Sequence, residues 1–473
     1  MEVHSQNHGH GFGNVNSEKA RVVVVMVPFP AQSHLNQLLQ LACLISTFDV
    51  PVYYACSSIH IRQAKLRFNG MNPDFVSKIQ FHEFPTPSFL SPPPNPNSLT
   101  RFPSHLQPSF ESSVQLRKPV AALMRKISPT AKRLVVVHDV LMANVVQDIA
   151  SVPNGESYAL NPTCAFTSFN GWLRRGKVPF QVEVPKGLPS MEGCYTSEFL
   201  EFAALNTDPM KLTSGVIFNS CRSIEGAYLD FLATLHRAEN RKLWAIGPLN
   251  LHILGENITS KCQNKCLEWL DKQEPKSVLY VSFGTTSSMS SKQIKEIAIG
   301  LEESKQKFIW VLREADKGDI FAGDEGSEGR LPEGYEERVK EFGIVVRDWA
   351  PQLEILGHPS TGGFMSHCGW NSCLESISMG VPIAAWPMHS DQPKNAFFVT
   401  DILKSGLTVN KWEEREELLC SPTIARMVKC LMVSKEGEEM RKRAEEFSGA
   451  IQQAVKGGDS RAELDSFIAH ITR

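Results

Sequence analysis

The residues RVVVVMVPFP (Arg21–Pro30) constrain the fold more than any other stretch of this chain. The run is β-branched and unbroken by polar residues, the pattern of a strand covered on both faces. SHLNQLLQLACLI follows, where Leu35, Leu38, Leu39 and Ala42 fall on one helical face. A doubly covered strand leading straight into an amphipathic helix is the first half of a parallel βαβ unit. Val52–Ala55, Ile79–Phe84, Leu134–His138 and Ser157–Leu160 read as further buried strands, with helical stretches between them.

The second half repeats the plan. SVLYVSFG (Ser277–Gly284) reads as a strand, and Ser290 with Gln293 as a capping box. The stripe Ile294, Ile297, Ala298, Leu301 then marks a helix. Strands are predicted at Phe308–Leu312, Gly343–Arg347, Gly363–Met365 and Val381–Trp386. The expected fold is therefore α/β, with two doubly wound domains. Residues 1–18 read as a disordered tail, 19–247 as the first domain, 248–262 as a linker and 263–452 as the second. Residues 453–473 read as a C-terminal helix packing back on the first domain, and Ala245–Lys261 as loop. Two long loops stand out, proline-rich Phe89–Ser104 and acidic, glycine-rich Arg313–Arg330.

Composition removes several classes of function. A net charge of −2 over 473 residues offers nothing to nucleic acid or an anionic membrane. No apolar run approaches the ~18–20 residues needed to cross a bilayer, and the polar N-terminus lacks the apolar core of a secretory signal. The eleven cysteines are scattered; Cys262 and Cys266 lack a second pair for zinc, so free thiols in a cytosolic protein are expected, and Asn257-Ile258-Thr259 would stay unglycosylated. An NAD enzyme would need Gly-x-Gly-x-x-Gly after the first strand, where this chain has PFPAQSH; Gly11-Phe12-Gly13 precedes the strand. A serine hydrolase would need Gly-x-Ser-x-Gly, and YVSFG lacks the first glycine.

The stretch Arg347–Gln392 carries the most chemistry. Trp349 follows a strand, and ligands of open α/β sheets bind beyond the strands' carboxyl ends. Its indole suits stacking on a flat base, with Ala350 and Gln352 at the base's edge; the alternative is a core tryptophan. SHCGWNSCLESISMG then reads as a strand end, a turn and a helix closed by Gly380. Its free N–H groups form an anion site, to which His367, Asn371 and Ser372 add donors while Gly369 permits close backbone approach. Glu375 is placed to accept from ribose hydroxyls, or is a solvated helix residue. Asp391 and Gln392 together suit several sugar hydroxyls. In linear order these are readers of base, ribose, diphosphate and sugar. His34 and Asp139 each follow a strand, so a parallel sheet opens both on one edge, where an aspartate can fix an imidazole as general base. Each alone also reads as a capping or turn residue. His138 should point the other way by strand alternation.

Trp349–Gln392 resembles, nearly position for position, the signature box of plant family 1 UDP-dependent glycosyltransferases. That resemblance implies the GT-B arrangement, two facing Rossmann-like domains with a cleft between them. It implies that Trp349 stacks on uracil, that Gln352 and Glu375 hold ribose, and that His367, Asn371 and Ser372 bind diphosphate. Trp370, Asp391 and Gln392 would face the sugar, Gln392 favouring glucose. Thr285 in SFGTT keeps the hydroxyl that many relatives supply from Ser. His34 matches the general base and Asp139 its partner, although HLNQ stands where many relatives have HINP, and Ser33 where many have Gly. The implied reaction inverts the anomeric carbon and needs no metal or cofactor beyond the UDP-sugar. Several stretches, among them VVHDVLMANVVQDIASVPN and WPMHSDQPKNA, look like the zeatin O-glycosyltransferase branch. Zeatin is thus the expected acceptor, with flavonoid or isoflavonoid phenols and a non-catalytic UDP-sugar-binding protein as alternatives, and a monomer as the expected state. Phe89, Leu90, Phe166, Phe169, Trp172, Met388 and His389 are the expected acceptor walls, and Thr163 an expected sugar contact.

Overall fold

A computed structural model describes residues 20–67, 73–98, 100–174, 185–254, 264–321 and 331–473. The tail 1–18, the sequon and Cys262 lie outside these residues, as do 255–262 of the expected linker and 322–330 of the acidic loop. The first sheet contains β1 (Ala20–Val27), β2 (Val52–Ser57), β3 (Ile79–Phe84), β4 (Ala131–Asp139), β5 (Gly155–Asn161), β6 (Gly215–Phe218) and β7 (Lys242–Ala245). The second contains β8 (Val278–Ser282), β9 (Lys307–Val311), β10 (Gly343–Val346), β11 (Thr361–Ser366), β12 (Ile383–Ala385) and β13 (Gly406–Thr408). The spatial orders are 3-2-1-4-5-6-7 and 10-9-8-11-12-13, with every described pairing parallel.

Both sheets reverse direction beside their first strand. The crevice left by such a reversal, at the carboxyl ends, is where these folds bind ligands. In the first sheet it lies between β1 and β4, with Val24 paired to Val52 on one side and Val135 on the other. In the second it lies between β8 and β11, where Phe364 pairs with Tyr280. The helix Gln32–Ser46 leaves β1 at the first crevice, and the helix Trp370–Ser378 follows β11 at the second.

The β1 valines alternate between two cores. Val22 and Val24 pack with Leu35, Leu38 and Leu39, whereas Val23 and Val25 pack with Val120, Met124 and Leu134. Each such side chain, once fully buried, contributes about 1.5–3 kcal/mol. The last helix, Asp459–Ile471, lays Leu464, Phe467, Ile468 and Ile471 into the core of Val24, Leu38 and Trp244. Phe467 meets the Trp244 indole edge to face at 5.3 Å. The end of the chain therefore closes one face of the first sheet.

Three expectations change in detail. Leu249–Leu254 is a short helix rather than loop, because Leu249 is drawn into the core of the first domain. Strands β6, β7 and β13 had not been read at all; at three or four residues each they are too short to show a period. The capping box is half formed. Ser290 Oγ accepts from the Gln293 N–H, but the Gln293 side chain instead brackets the Leu419 backbone, donating to its oxygen and accepting from its nitrogen.

Candidate active site

Where the two crevices face each other lies a cavity of about 300 Å³, lined by both domains. His34 sits on its first-domain side, in the opening turn of Gln32–Ser46. Its Nδ1 lies 2.7 Å from Asp139 Oδ2, and the carboxylate is fully buried at the end of β4. The other oxygen, Oδ1, accepts from the Leu141 N–H at 2.9 Å. A buried carboxylate in that position accepts a hydrogen bond from Nδ1–H, which keeps the proton on Nδ1 and leaves Nε2 with the lone pair. Phe29 meets the imidazole edge-on, at 5.1 Å between ring centres. Neighbouring His138 turns away and contacts the Asp139 carbonyl; burial pushes its pKa down to about 4.

Across the cavity, Ser372 and Asn371 stand at the start of Trp370–Ser378, whose N-cap position is Gly369. His367 is wedged between two glycines. A Cβ on Gly284 would lie 2.5 Å from His367 Nε2, and one on Gly369 would lie 2.7 Å from it. Burial lowers the imidazole pKa to about 4, so at neutral pH it offers an N–H rather than a full charge. Gln352 donates to Glu375 at 2.7 Å and to Ser372 Oγ at 3.1 Å. Burial pushes Glu375 up to about 7, against the lowering effect of that hydrogen bond. Gln392 Oε1 accepts from the Met388 and His389 N–H groups at 2.8 and 3.0 Å, which leaves its NH₂ as the donor edge. Asp391 accepts from Asn395 at 2.9 Å, and burial raises its pKa.

The domains are tied together around this cavity. Trp370 donates its indole N–H to the Asn219 carbonyl at 2.9 Å. Arg67, from the first domain, pairs with Asp316 of the second through two contacts of 2.5 and 2.9 Å, and Arg313 reaches the same carboxylate at 2.7 Å. Both guanidiniums lie over the Trp349 ring, at 5.0 and 5.7 Å from its centre. No group of three or more His, Cys, Asp or Glu side chains able to hold a metal occurs among the described residues. The ten described cysteines form no disulfide, and no described helix is long and apolar enough to cross a membrane.

Comparison with known proteins places this geometry. Residues 20–251 match the model described as "Glycosyltransferase, N-terminal domain", and 254–414 the one described as "UDP-glucoronosyl and UDP-glucosyl transferase". A zeatin O-glucosyltransferase of Phaseolus lunatus is 52% identical, over 96% of this chain and 98% of that protein. The chain belongs to the UDP-glycosyltransferase family. A zeatin O-xylosyltransferase of Phaseolus vulgaris is 49% identical, over 97% of this chain and 99% of that one. Among solved structures, a glycosyltransferase of Siraitia grosvenorii in complex with UDP superposes with a TM-score of 0.75 at 29% identity, over 96% and 100% of the chains. Phytolacca americana UGT2, complexed with UDP-2fluoro-glucose and pterostilbene, gives 0.74 at 25% over the same shares. The GT-B fold and the enzyme class follow: this glycosyltransferase takes a UDP-sugar and a small-molecule acceptor.

In this UDP-glycosyltransferase the cavity gathers His34, Thr285, Trp349, Ala350, Gln352, His367, Gly369, Trp370, Asn371, Ser372, Glu375, Asp391 and Gln392, with Asp139 directly behind His34. Thr163 and His389 also line it. Most of the expected acceptor walls do not. Phe166 stacks with both Phe397 and Phe398, and Phe169 packs on Phe231. Trp172 covers that same core, and Met388 belongs to the core under β8 and β11. Phe89 stacks on His60, and Leu90 is 80% exposed. Apolar and aromatic character alone makes each of these side chains a candidate for an acceptor wall or for core, and the structure uses them in packing or turns them outward. The apolar end of the cavity is made instead by Phe29, Phe102, Leu106, Phe110, Leu141 and Phe199. Phe29 and Phe110 meet at 4.7 Å, and Phe102 and Phe199 at 4.8 Å, which keeps this wall rigid. The four-residue spacing of Phe102, Leu106 and Phe110, running from the end of the proline-rich loop into the helix Gln107–Ser112, was the signal for it.

Proposed function

We propose that this enzyme transfers glucose from UDP-glucose to the side-chain hydroxyl of the cytokinin zeatin with inversion, acting as a cytosolic monomer without a metal. The observation that carries the reaction is the 2.7 Å contact between His34 and Asp139 on the cavity wall opposite the Trp370–Ser378 helix start. His34 Nε2 takes the proton of the acceptor hydroxyl while its oxygen attacks the anomeric carbon. The bond from that carbon to the diphosphate oxygen breaks on the opposite face, and its electrons leave with UDP. The product is a β-glucoside, and the buried Asp139 carboxylate stabilises the imidazolium until the proton passes to solvent. The helix start, Asn371, Ser372 and His367 receive the charge that develops on the leaving diphosphate. Uracil is assigned to Trp349 with Ala350 at its edge, ribose to Gln352 and Glu375, and phosphate also to Thr285. Trp370, Asp391 and Gln392 are assigned to the glucose. Residues 19–247 would hold the acceptor and 263–452 the donor.

Zeatin is favoured because the named activities of the two relatives near half identity are both zeatin O-glycosylations. The apolar, aromatic wall from Phe29 to Phe199 suits a purine, and phenolic acceptors have no comparable support. Purified enzyme given UDP-glucose and, in parallel, trans-zeatin, dihydrozeatin, flavonoids and isoflavonoids should yield a hexose adduct on the cytokinins. Product mass and released UDP are the readouts. Adducts on phenolics alone would sink the zeatin assignment but leave the chemistry standing. A pentose adduct formed faster from UDP-xylose than the hexose adduct would sink the choice of glucose.

A further inference from the structure

The amide of Gln37 connects the two halves of the site. Gln37 lies one turn beyond His34 on the same helix and is 1% exposed. Its Nε2 donates to the Pro162 carbonyl at 3.1 Å and to Asn371 Oδ1 at 2.5 Å. Asn371 Nδ2 in turn contacts the Ser33 carbonyl at 3.2 Å. Gln37 Oε1 has no partner among the described residues, so the directed bonding of this buried amide runs to Pro162 and Asn371.

The chemistry of these groups fixes the orientation of both amides. A carbonyl oxygen only accepts, so the Gln37 atom facing Pro162 must be the NH₂. The same NH₂ faces Asn371 and can only donate, so Asn371 must turn Oδ1 toward it. Asn371 Nδ2 then lies on the side away from Gln37, where one of its hydrogens donates to the Ser33 carbonyl at 3.2 Å and the other is left for a ligand in the cavity that Asn371 lines. An anionic oxygen there meets a donor. Without Gln37, the Ser33 carbonyl is the protein contact left to resist a flip of the Asn371 amide, and a flipped amide presents an acceptor that repels phosphate.

We propose that Gln37 is a positioning residue for the diphosphate of the nucleotide-sugar donor. It acts through Asn371 by holding that side chain with its N–H edge toward the ligand. The Pro162–Gln37–Asn371 relay also fastens the phosphate-binding helix start to the helix that carries His34, so base and leaving group keep a set separation. This inference rests on the UDP-sugar reading of the cavity.

The test is UDP affinity by calorimetry for the wild-type enzyme, Gln37→Met, Gln37→Glu, Asn371→Ala and the Gln37→Met/Asn371→Ala double variant. Gln37→Met keeps the shape of the side chain and is expected to weaken UDP by about tenfold, the loss of one oriented bond to a charged group. An ionised Gln37→Glu sets an acceptor against Asn371 Oδ1, and the flip that relieves this sets Oδ1 against the Ser33 carbonyl instead, so either way the amide is displaced and the loss should approach about a hundredfold. Once Asn371 is alanine, Gln37→Met should change UDP affinity by less than about twofold, because the group through which it acts is gone. Thermal melting of each variant checks that it is folded. Wild-type UDP affinity in both Gln37 variants would overturn the inference. So would an equal loss from Gln37→Met with and without Asn371, since that marks a purely structural role. Failure of the wild-type enzyme to bind UDP would instead overturn the donor reading, and this inference with it.

Discussion

Asp139→Asn is expected to be the more damaging of the two simplest changes behind the base, slower than Asp139→Ala although its side chain is nearly identical in shape to aspartate. The Leu141 N–H, 2.9 Å from Asp139 Oδ1, needs an acceptor. Asparagine will therefore keep its carbonyl oxygen on Leu141 and turn its NH₂ toward His34. An NH₂ can only donate, so His34 Nδ1 must present its lone pair and the ring proton moves to Nε2. The nitrogen that should take the acceptor proton is then already protonated. Asp139→Ala removes stabilisation of the imidazolium but leaves the ring free to adopt either tautomer. Single-turnover rates with saturating UDP-glucose and acceptor should fall by about 10³–10⁴-fold for Asp139→Asn. Asp139→Ala should retain several-fold more activity, and His34→Ala should lie at or below Asp139→Asn. UDP affinity should stay within about twofold in all three, because neither side chain reaches the donor's phosphates. Equal rates for the asparagine and alanine variants would show that Asp139 acts by charge alone and not by setting the tautomer.

How much of this was legible in the sequence depended on how local each signal is. The buried strands of β1, β4, β8 and β11 were readable because each is an apolar run that ends at a chemically distinctive turn. Their carboxyl ends then placed His34, Asp139, Thr285 and His367 at the crevices once the sheets were taken as parallel. The donor side of the cavity was readable for the same reason: Trp349 through Gln392 is one continuous stretch, and linear order there maps onto the order of the ligand's parts. The acceptor side was not, because its wall is assembled from Phe29, the Phe102–Phe110 stripe, Leu141 and Phe199, four separate stretches. An aromatic residue such as Phe166 has the same sequence signature whether it faces a ligand or a neighbour like Phe398. Composition could not decide between those fates. Gln37 shows the same limit more sharply. HLNQ was visibly a departure from HINP, but the partner that gives the glutamine its function, Asn371, lies 334 residues away. The Arg67–Asp316 pair, 249 residues apart in sequence, was hidden in the same way.

The two glycines around His367 are a place where local backbone and distant chemistry meet, and they should respond differently to one added methyl group. Gly284 has φ of +76°, a conformation that costs a side chain-bearing residue roughly 1–2 kcal/mol. Its Cβ would also lie 2.5 Å from His367 Nε2. Gly369 has φ of −58°, which alanine adopts freely, so there only the 2.7 Å approach to the same nitrogen counts. In both variants the imidazole must move. It is already buried with Nδ1 unpartnered among the described residues, so it has no alternative anchor to hold it near the helix start. Gly369→Ala and Gly284→Ala are therefore both expected to weaken UDP binding by about 10–100-fold, the loss of a donor to a charged phosphate. Gly284→Ala alone should also lower the melting temperature, by about 2–4 °C for each kcal/mol of backbone strain. His367→Ala in either glycine background makes the cause visible: removing the ring relieves the contact, so Gly369→Ala should then cost almost nothing further, while Gly284→Ala keeps its thermal penalty. If Gly369→Ala binds UDP like the wild-type enzyme, the imidazole has room to spare, and the glycines are there for the turn rather than for the histidine.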